Sequence, residues 1–487
     1  MKAVVISSFG AQNYAEKYIQ AKLEWRNFWD AALFVDGSPL DVVDFAKSRG
    51  VRLREKSCGG ASRHVYVNGL VLGNILQEQG HDTTIINAYD EGDTKQKTML
   101  LAAELVVIST NYVTGRWVNE LCSLVAALRA CGSTATVVVG GFGVYRLLDG
   151  DMAEERCAAV MESGVDVLIE GRHGIGSLLK VANSTRLGAK RIIRDEDDFR
   201  MTPEHLSART WPLELQSPHT VLFTSTGCPF TCHFCSYRFF LGEYAPLPIR
   251  EVRKMLDATL RRSLIPVSCL RVVDECFNVP EDRAVSVCRE IRDVNADLIW
   301  CCFARGDRMT PRLARELRSS GCALVSIGLE SGVPEMQRTM NKNLDLAGVK
   351  ETVAILRDEG IQSVVSLLVG FYGESISTVE RTRDYLVELR PDLARINVWV
   401  PPPGEAQQAL AREFGFRVCD GSWAHRTMSE IEACDLARSL YKETPDISFV
   451  PPFSSIFDQW PELIGRGLTP EDALMQFLVY HRHVIAG

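Results

Sequence analysis

Apolar positions fall into two series of short runs, separated by longer stretches with a helical period. In the first series, residues 3–6 read as a buried parallel strand, and regular patterning resumes at Val65. It predicts a helix over 67–79 that stops at Gly80, strands over 83–87 and 105–110, and a helix over 116–131 closed by Gly132. A strand over 137–141, a helix over 152–163 and a strand over 165–171 follow. The second series predicts strands over 220–224, 269–273, 298–303, 324–329, 363–369 and 394–400. Helices over 248–263, 280–294, 311–320, 346–359 and 377–389 separate them. Strands alternating with helices predict parallel sheets. The expected fold class is α/β: a Rossmann-like N-terminal domain, a partial (β/α)6 barrel, and a small, mainly helical C-terminal region.

These patterns place the N-terminal domain at 1–185. An insertion at about 10–63 interrupts it, carrying Trp25, Phe28, Trp29 and Phe34 and then Cys58-Gly59-Gly60; it is expected to pack over a neighbouring site. Residues 186–218, with Arg191, Arg194, an acidic run at 195–198 and prolines at 203, 212 and 218, read as a linker. The barrel is expected over 219–404. Residues 405–487 are expected to cover the substrate, with a closing amphipathic helix near 474–480.

Composition narrows the classes. A chain of 487 residues has room for about three domains. With 46% hydrophobic and 24% charged residues it reads as an ordinary globular protein. A net charge of −8 offers no basic footprint, so nucleic acid is not expected as a partner. The 15 cysteines are odd in number and sit in apolar runs such as Cys301-Cys302, which argues against a secreted disulfide framework and for a reducing cytoplasm. The first apolar run is too short for a signal peptide, and none approaches the roughly 18 residues of a membrane span.

The chemistry concentrates at Cys228-Pro229-Phe230-Thr231-Cys232-His233-Phe234-Cys235. Three thiolates can hold three irons of a four-iron cluster, leaving the fourth open to a non-protein ligand. Gly227 and Pro229 suit the tight turn such a loop needs, and Phe234 would shield it from water. A zinc site or three unrelated buried cysteines are the alternatives. Zinc needs a fourth ligand, for which His233 is poorly placed. The C-x3-C-x2-C spacing closely resembles the signature of the radical S-adenosylmethionine (radical SAM) superfamily. The resemblance implies that Cys228, Cys232 and Cys235 hold a [4Fe-4S] cluster whose open iron is chelated by SAM. An electron, from a donor such as flavodoxin or ferredoxin, would then cleave SAM to a 5′-deoxyadenosyl radical.

Two strand ends resemble SAM-contacting motifs of the superfamily. Glu330 and Ser331, in residues 327–332, look like the group that meets the SAM amino group or ribose, and a carboxylate and a hydroxyl suit that role. Gly370 and Phe371, in residues 368–374, resemble the strand whose backbone pairs with the adenine edge. Asp274, Glu275 and Phe277 match a region often written Asp-Asp-x-Phe. Asp274, Glu275 and Arg305 are the catalytic candidates. Asp274 could equally be a charge at a helix N-terminus. Arg305 could bind a carboxylate or phosphate, or form a salt bridge within the barrel.

In open parallel sheets ligands bind outside the carboxyl ends of the strands. Ser109-Thr110-Asn111, Gly140-Gly141-Phe142-Gly143 and Glu170-Gly171-Arg172 lie there, and the glycines allow a large planar ligand to approach. Together these resemble the cobalamin-binding domain that precedes the radical SAM domain in one subgroup. The match is at Ser109, Gly140, Gly141 and Asp166. The chain departs from that pattern at residues 170–173 and lacks the D-x-H-x-x-G motif; His64, His81 and His173 read as ordinary histidines. A degenerate scaffold is the alternative for this domain. The resemblance implies a cobalamin-dependent radical SAM methyltransferase. Methyl would pass from SAM via methylcobalamin to an unactivated carbon or phosphorus of a small molecule or peptide in specialised metabolism. A non-methylating ring contraction, cyclisation or rearrangement is the second reading. A non-catalytic iron–sulfur or cobalamin sensor is the third, and it would have no need of SAM-contacting motifs.

Overall fold

The computed structural model describes residues 1–7, 34–35, 38–54, 67–87, 89–90, 92–110, 117–148, 153–171, 174–184, 191–195, 218–235, 243–261, 265–401, 405–419, 422–451 and 456–486. After strand β1 (Lys2–Ile6) comes the short helix α1 (Val42–Ser48), started by Asp41, whose side chain accepts the Asp44 N–H. Helix α1 does not join the sheet that β1 begins. It belongs to the second of two compact units, the one that holds residues 24–57 and 217–487. The aromatic residues expected to cap a neighbouring site from this insertion, Trp25, Phe28 and Trp29, lie outside the described residues.

The first unit is a six-stranded parallel sheet. Its further elements are α2 (Val67–Glu78), β2 (Asp82–Ile86), α3 (Thr94–Leu101), β3 (Leu105–Ser109), α4 (Trp117–Ala130), β4 (Thr136–Gly140), α5 (Phe142–Leu147), α6 (Ala153–Glu162), β5 (Val167–Gly171), α7 (Ile175–Ala182) and β6 (Arg191–Asp195). The strand order is β2-β1-β3-β4-β5-β6. Both faces are covered, which explains why the strands read as continuous apolar runs. Val4, Ile6, Val106 and Ile108 pack to one side with Leu121, Leu124 and Val125 of α4. Ala3, Val5, Leu105 and Val107 pack to the other with Leu76 of α2 and Leu178 and Val181 of α7. Strand β6 corrects the linker expectation. Arg191–Asp195 pairs in parallel with β5, from Val167↔Arg191 to Gly171↔Asp195. As an edge strand it carries charged side chains that hid it from a hydrophobicity reading. Helices α3, α5 and α7 were likewise not foreseen; α3 is polar and α5 is short.

In the second unit six strands follow one another as direct neighbours, in the order β12-β11-β10-β9-β8-β7 and all parallel. They are β7 (His219–Leu222), β8 (Cys269–Val272), β9 (Ile299–Arg305), β10 (Cys322–Glu330), β11 (Gln362–Val369) and β12 (Leu393–Val398). Helices α8 (Ile249–Arg261), α9 (Glu281–Val294), α10 (Pro311–Ser319), α11 (Pro334–Thr339), α12 (Leu346–Asp358) and α13 (Ile376–Leu389) lie between them. Local capping chemistry sets several starts: Thr310 caps α10 with Pro311 behind it, Asp345 caps α12, and Ser375 and Thr378 form a capping box on α13. This is the expected partial (β/α)6 barrel, open between β7 and β12.

The C-terminal region holds helices α14 (Glu405–Phe414), α15 (Glu430–Glu443), α16 (Ile456–Gly465) and α17 (Pro470–Ala486). It also holds a small antiparallel sheet that the pattern did not predict, β13 (Arg417–Cys419), β14 (Ser422–His425) and β15 (Met428–Ser429). Helix α16 enters the barrel. Phe457 stacks on Phe303 of β9 with ring centres 4.0 Å apart, Asp458 pairs with Arg271 of β8, and Trp460 donates its indole N–H to Gln362 of β11 at 3.1 Å. Helix α1 backs this plug: Phe45 packs edge-on against Tyr480 of α17, and the Val42 N–H donates to Gln459. The open barrel is thus floored by chain from both ends of the sequence.

Candidate active site at the barrel mouth

The cysteine loop leaves β7 at the carboxyl ends of the barrel strands. Gly227 takes φ +69°, where a side chain would be strained, and lets the loop turn. Cys228, Cys232 and Cys235 are unbridged and partly exposed. The other barrel cysteines (Cys269, Cys276, Cys288, Cys301, Cys302 and Cys322) are buried. Burial pushes the Cys232 thiol up to about 11, while Lys342 nearby pulls it down. Among the described residues no three His, Cys, Asp or Glu side chains converge as ligands of a single metal ion. His233 is turned away: its N–H donates to the Met340 carbonyl at 2.8 Å and its Nδ1 meets the Thr339 carbonyl at 3.0 Å.

The loop is clamped from three sides. Helix α11 and the turn after it, which the hydrophobic pattern does not show, supply one clamp. Asn341 donates to both the carbonyl and the hydroxyl of Thr231, at 3.0 and 2.7 Å. Asn341 and Asn343 both adopt φ +50°, which asparagine tolerates, so the Asn-Lys-Asn run was the available signal for this turn. Arg305 supplies the second clamp. Its guanidinium lies over Phe230, donates to Asp307 at 2.8 Å and donates to the Lys342 carbonyl at 2.7 Å. Asp274 supplies the third. It accepts the Thr224 N–H at 2.7 Å, the Thr224 hydroxyl at 2.5 Å and the Ser225 hydroxyl at 2.7 Å, just ahead of the cysteines. Burial raises its pKa against these three bonds. Asp274 and Arg305, expected as catalytic candidates, are therefore engaged in holding the loop. Asp274 is bound to strand-end residues and not to a helix N-terminus. Glu275 is different: burial lifts its carboxyl to about 8 against a bond from its own backbone N–H, and it lies near enough to Cys228 for its charge to act on that thiol.

Glu330 closes β10 at φ +67°, a region a non-glycine residue rarely adopts, beside a register shift between Gly328 and Glu330. Its carboxylate meets Lys342 at 2.9 Å, and the Lys342 ammonium lies 5.3 Å from the ring centre of Phe234 in the cysteine loop. Sequence reasoning missed Lys342. Ser331 is fully buried and shares a hydrogen bond with Thr382, so its hydroxyl supports α13. Gly370 has both backbone groups engaged: its N–H donates to Glu374 at 2.5 Å and its carbonyl accepts from His425 at 3.1 Å. Phe371 is fully buried and meets Phe234 edge-on at 6.4 Å. The adenine-edge role implied for the Gly370 backbone thus falls on groups that already have partners.

In the first unit the strand order reverses at β1, which puts the ligand crevice at the carboxyl ends of β1 and β3. Asn68, at the start of α2, bridges them by donating to the Ser7 carbonyl at 3.0 Å and the Ser109 hydroxyl at 2.5 Å. Among the described residues the Ser7 hydroxyl and the Asn68 carbonyl oxygen are buried without a hydrogen-bond partner. Orphaned polar atoms at a switch point fit a polar ligand there. Ser7 and Asn68 were not singled out in the sequence; the signal was a serine ending the first strand. Gly141 takes φ +111° before α5, and Thr110 takes the Gly140 carbonyl and holds the first turn of α5. Glu170 pairs with Arg194 of β6 at 3.2 Å. Asp166 lies at the wrong end for the crevice: it accepts from Arg129 at 2.7 Å and from the Val137 N–H at 2.8 Å, at the amino ends of the strands. Asn111, Arg172, His173 and the Phe142 side chain lie outside the described residues, and Gly171 is described in its backbone alone.

Comparison with known proteins identifies the barrel. The model of the radical SAM superfamily matches residues 222–386. The chain is similar to the tryptophan 2-C-methyltransferase of Streptomyces laurentii, 24% identical over 55% of this chain and 52% of that one. It is also similar to the anaerobic magnesium-protoporphyrin IX monomethyl ester cyclase of Rubrivivax gelatinosus, 27% identical over 36% of this chain and 32% of that one. The chain thus spans about a third to a half of the length of these curated relatives. Among solved structures, the radical SAM methyltransferase TsrM from Kitasatospora setae, determined with cobalamin and a [4Fe-4S] cluster bound, superposes with a TM-score of 0.52. It is 18% identical and covers 68% of this chain and 69% of that chain. Residues 222–386 thus match the radical SAM superfamily, and the chain shares its fold with a solved radical SAM methyltransferase.

Proposed function

We propose that this protein is a cobalamin-dependent radical SAM methyltransferase acting on an unactivated carbon or phosphorus centre of a small molecule or peptide. The observation that carries the reading is the barrel mouth: three unbridged cysteines on a clamped loop, with a strained Glu330 and its Lys342 beside it. Cys228, Cys232 and Cys235 would hold the cluster. The Glu330–Lys342 pair, one carboxylate and one ammonium, is matched to the ammonium and carboxylate of an amino acid such as the methionine part of SAM. Phe230, Phe234 and Phe371 keep water from the loop. In the first unit, Ser7, Asn68 and Ser109 would meet cobalamin at the β1–β3 crevice. When bound, the cluster with SAM supplies an electron and a 5′-deoxyadenosyl radical, and cobalamin supplies a methyl carrier. The chain's own residues hold these groups in place and limit access of solvent.

The test uses anaerobically reconstituted protein with SAM, cobalamin, a reductant and candidate substrates, and quantifies 5′-deoxyadenosine and S-adenosylhomocysteine. Both products, dependent on cobalamin, are expected; Cys232→Ala removes the cluster and SAM cleavage. The similarity to a cyclase favours one second reading, a cobalamin-linked cyclisation without methyl transfer. 5′-Deoxyadenosine without S-adenosylhomocysteine would select it.

A further inference from the structure

On β11 exposure is confined to one position, and on β12 to three successive residues, 395–397. Val365 and Leu367 are fully buried towards the outer helices, whereas Ser366 between them is partly exposed. The inner face is the one that carries Gln362, whose side chain meets Trp460 of the plug helix α16. By the two-residue period of a strand, Ser366 and Leu368 share that face. On β12, Arg395 is in register with Ser366 and Asn397 with Leu368, so both face the lumen, and both are partly exposed. Phe223, Val273 and Phe303, each partly exposed, stand on or just past the strands at the other side of the barrel, Phe303 stacked on Phe457 of the plug.

Among the described residues three arginines stand at lumen-facing strand positions, and two of them are held in ion pairs. Arg271 is paired with Asp458 and the Phe457 carbonyl; Arg305 is held by Asp307, Phe230 and the carbonyl of Lys342. The acidic group at the mouth, Glu330, is neutralised by Lys342. The guanidinium of Arg395 makes no hydrogen bond, ion pair or ring contact among the described residues. A cation held half-out of water without a partner is a standing electrostatic surplus, and a guanidinium is built to take two oxygens of one anion.

We propose that Arg395 is the substrate anchor of this chamber and binds a carboxylate or phosphate of the molecule acted on. The inference rests on the radical SAM reading of the same barrel and adds the substrate class: a small anion with an apolar body. The anion enters above the floor made by α16, its two oxygens meet Arg395, and its apolar part lies against Phe223, Val273 and Phe303, below the cysteine loop.

The test uses the full-length, cluster-reconstituted protein and three probes: indole-3-acetate, its neutral amide indole-3-acetamide, and phenyl phosphate. Binding is measured by equilibrium dialysis on wild type, Arg395→Gln and Arg395→Lys, with SAM binding and iron content measured in parallel. The wild type is expected to bind at least one anion about tenfold or more tightly than the amide. Arg395→Gln should erase that gap and Arg395→Lys keep part of it, with SAM affinity and iron content unchanged. Preference for acetate over phosphate, or the reverse, names the anion. Equal binding of acid and amide by the wild type, or a gap that survives in Arg395→Gln, overturns the proposal. So does a loss of SAM affinity in Arg395→Gln, which would assign the arginine to the cofactor. Failure of the radical SAM reading would instead appear as absence of the cluster and of SAM cleavage in the wild type.

Discussion

The guanidinium carbon of Arg305 lies 4.0 Å from the ring centre of Phe230, so a residue between Cys228 and Cys232 is pinned by an arginine from a different strand. The same guanidinium reaches Asp307 and the carbonyls of Lys342 and Asn343. It ties the cysteine loop to the turn that presents Lys342 to Glu330.

Arg305→Lys keeps the charge but not the planar fork, and an ammonium cannot serve the ring, the carboxylate and two carbonyls together. The expected result is a folded protein with fewer irons per chain after reconstitution and SAM cleavage lowered by roughly tenfold, the scale of one lost charged hydrogen bond. Iron assay, circular dichroism and 5′-deoxyadenosine yield check it. Unchanged iron content would mean that the loop holds its shape without this clamp.

Gly370 takes φ +100°, and a methyl group there would sit 2.6 Å from the Trp423 ring and 2.9 Å from the Ala433 side chain. Gly370→Ala is expected to cost about 2–4 kcal/mol, combining a left-handed backbone with an overpacked contact. Adding Trp423→Phe removes the nearest ring atoms and should recover part of that loss, a coupling that a double-mutant cycle in denaturant measures.

Glu374 is fully buried, with no cation beside it among the described residues. Burial lifts its carboxyl to about 8, against the backbone N–H groups of Gly370 and Phe371 that pull it down. Between its ordinary value and about 8 the folded protein holds a proton that the unfolded chain has released. Stability from this group is therefore fully present below the ordinary carboxylate range and is lost as pH rises through about 8. Glu374→Gln should remove this slope. Melting temperatures of the two proteins from pH 5 to 9 should show wild type losing ground to the variant as pH rises; parallel curves would contradict the assignment.

Asn68 joins the Ser7 carbonyl to the Ser109 hydroxyl at the reversal point of the first sheet. On the proposed reading, Asn68→Ala should weaken cobalamin binding by about tenfold, the scale of one or two lost hydrogen bonds. Iron content and SAM cleavage, which belong to the other unit, should stay at wild-type levels. Visible-spectrum titration with cobalamin gives the first quantity. A variant that binds cobalamin normally would move the site away from this crevice.

Much of the architecture was legible because local rules suffice for it. The predicted barrel strands and helices fall within a few residues of their places, since two-residue and 3.6-residue periods report burial on one face regardless of partner. The cysteine loop was legible because its ligands are neighbours in sequence. Elements without that signal were lost: β6 is a charged edge strand, α11 is short, and β13 to β15 are too short, at two to four residues, to show a period.

Periodicity alone says which residues are buried and not what they are buried against. The placement of α1 with the C-terminal helices, the entry of α16 into the barrel and the clamping of Asp274 and Arg305 join residues far apart in the chain. Asp166 shows the limit from the other side: its strand was correctly expected, but the paired Arg129 holds it at the amino end, away from the crevice. By itself the sequence determined the two parallel sheets and the three thiols, since strand period and ligand spacing are local. Only the tertiary structure decided which charges were neutralised and which, like Arg395, were left over. That balance depends on distances between side chains brought together by folding, and no local pattern encodes it.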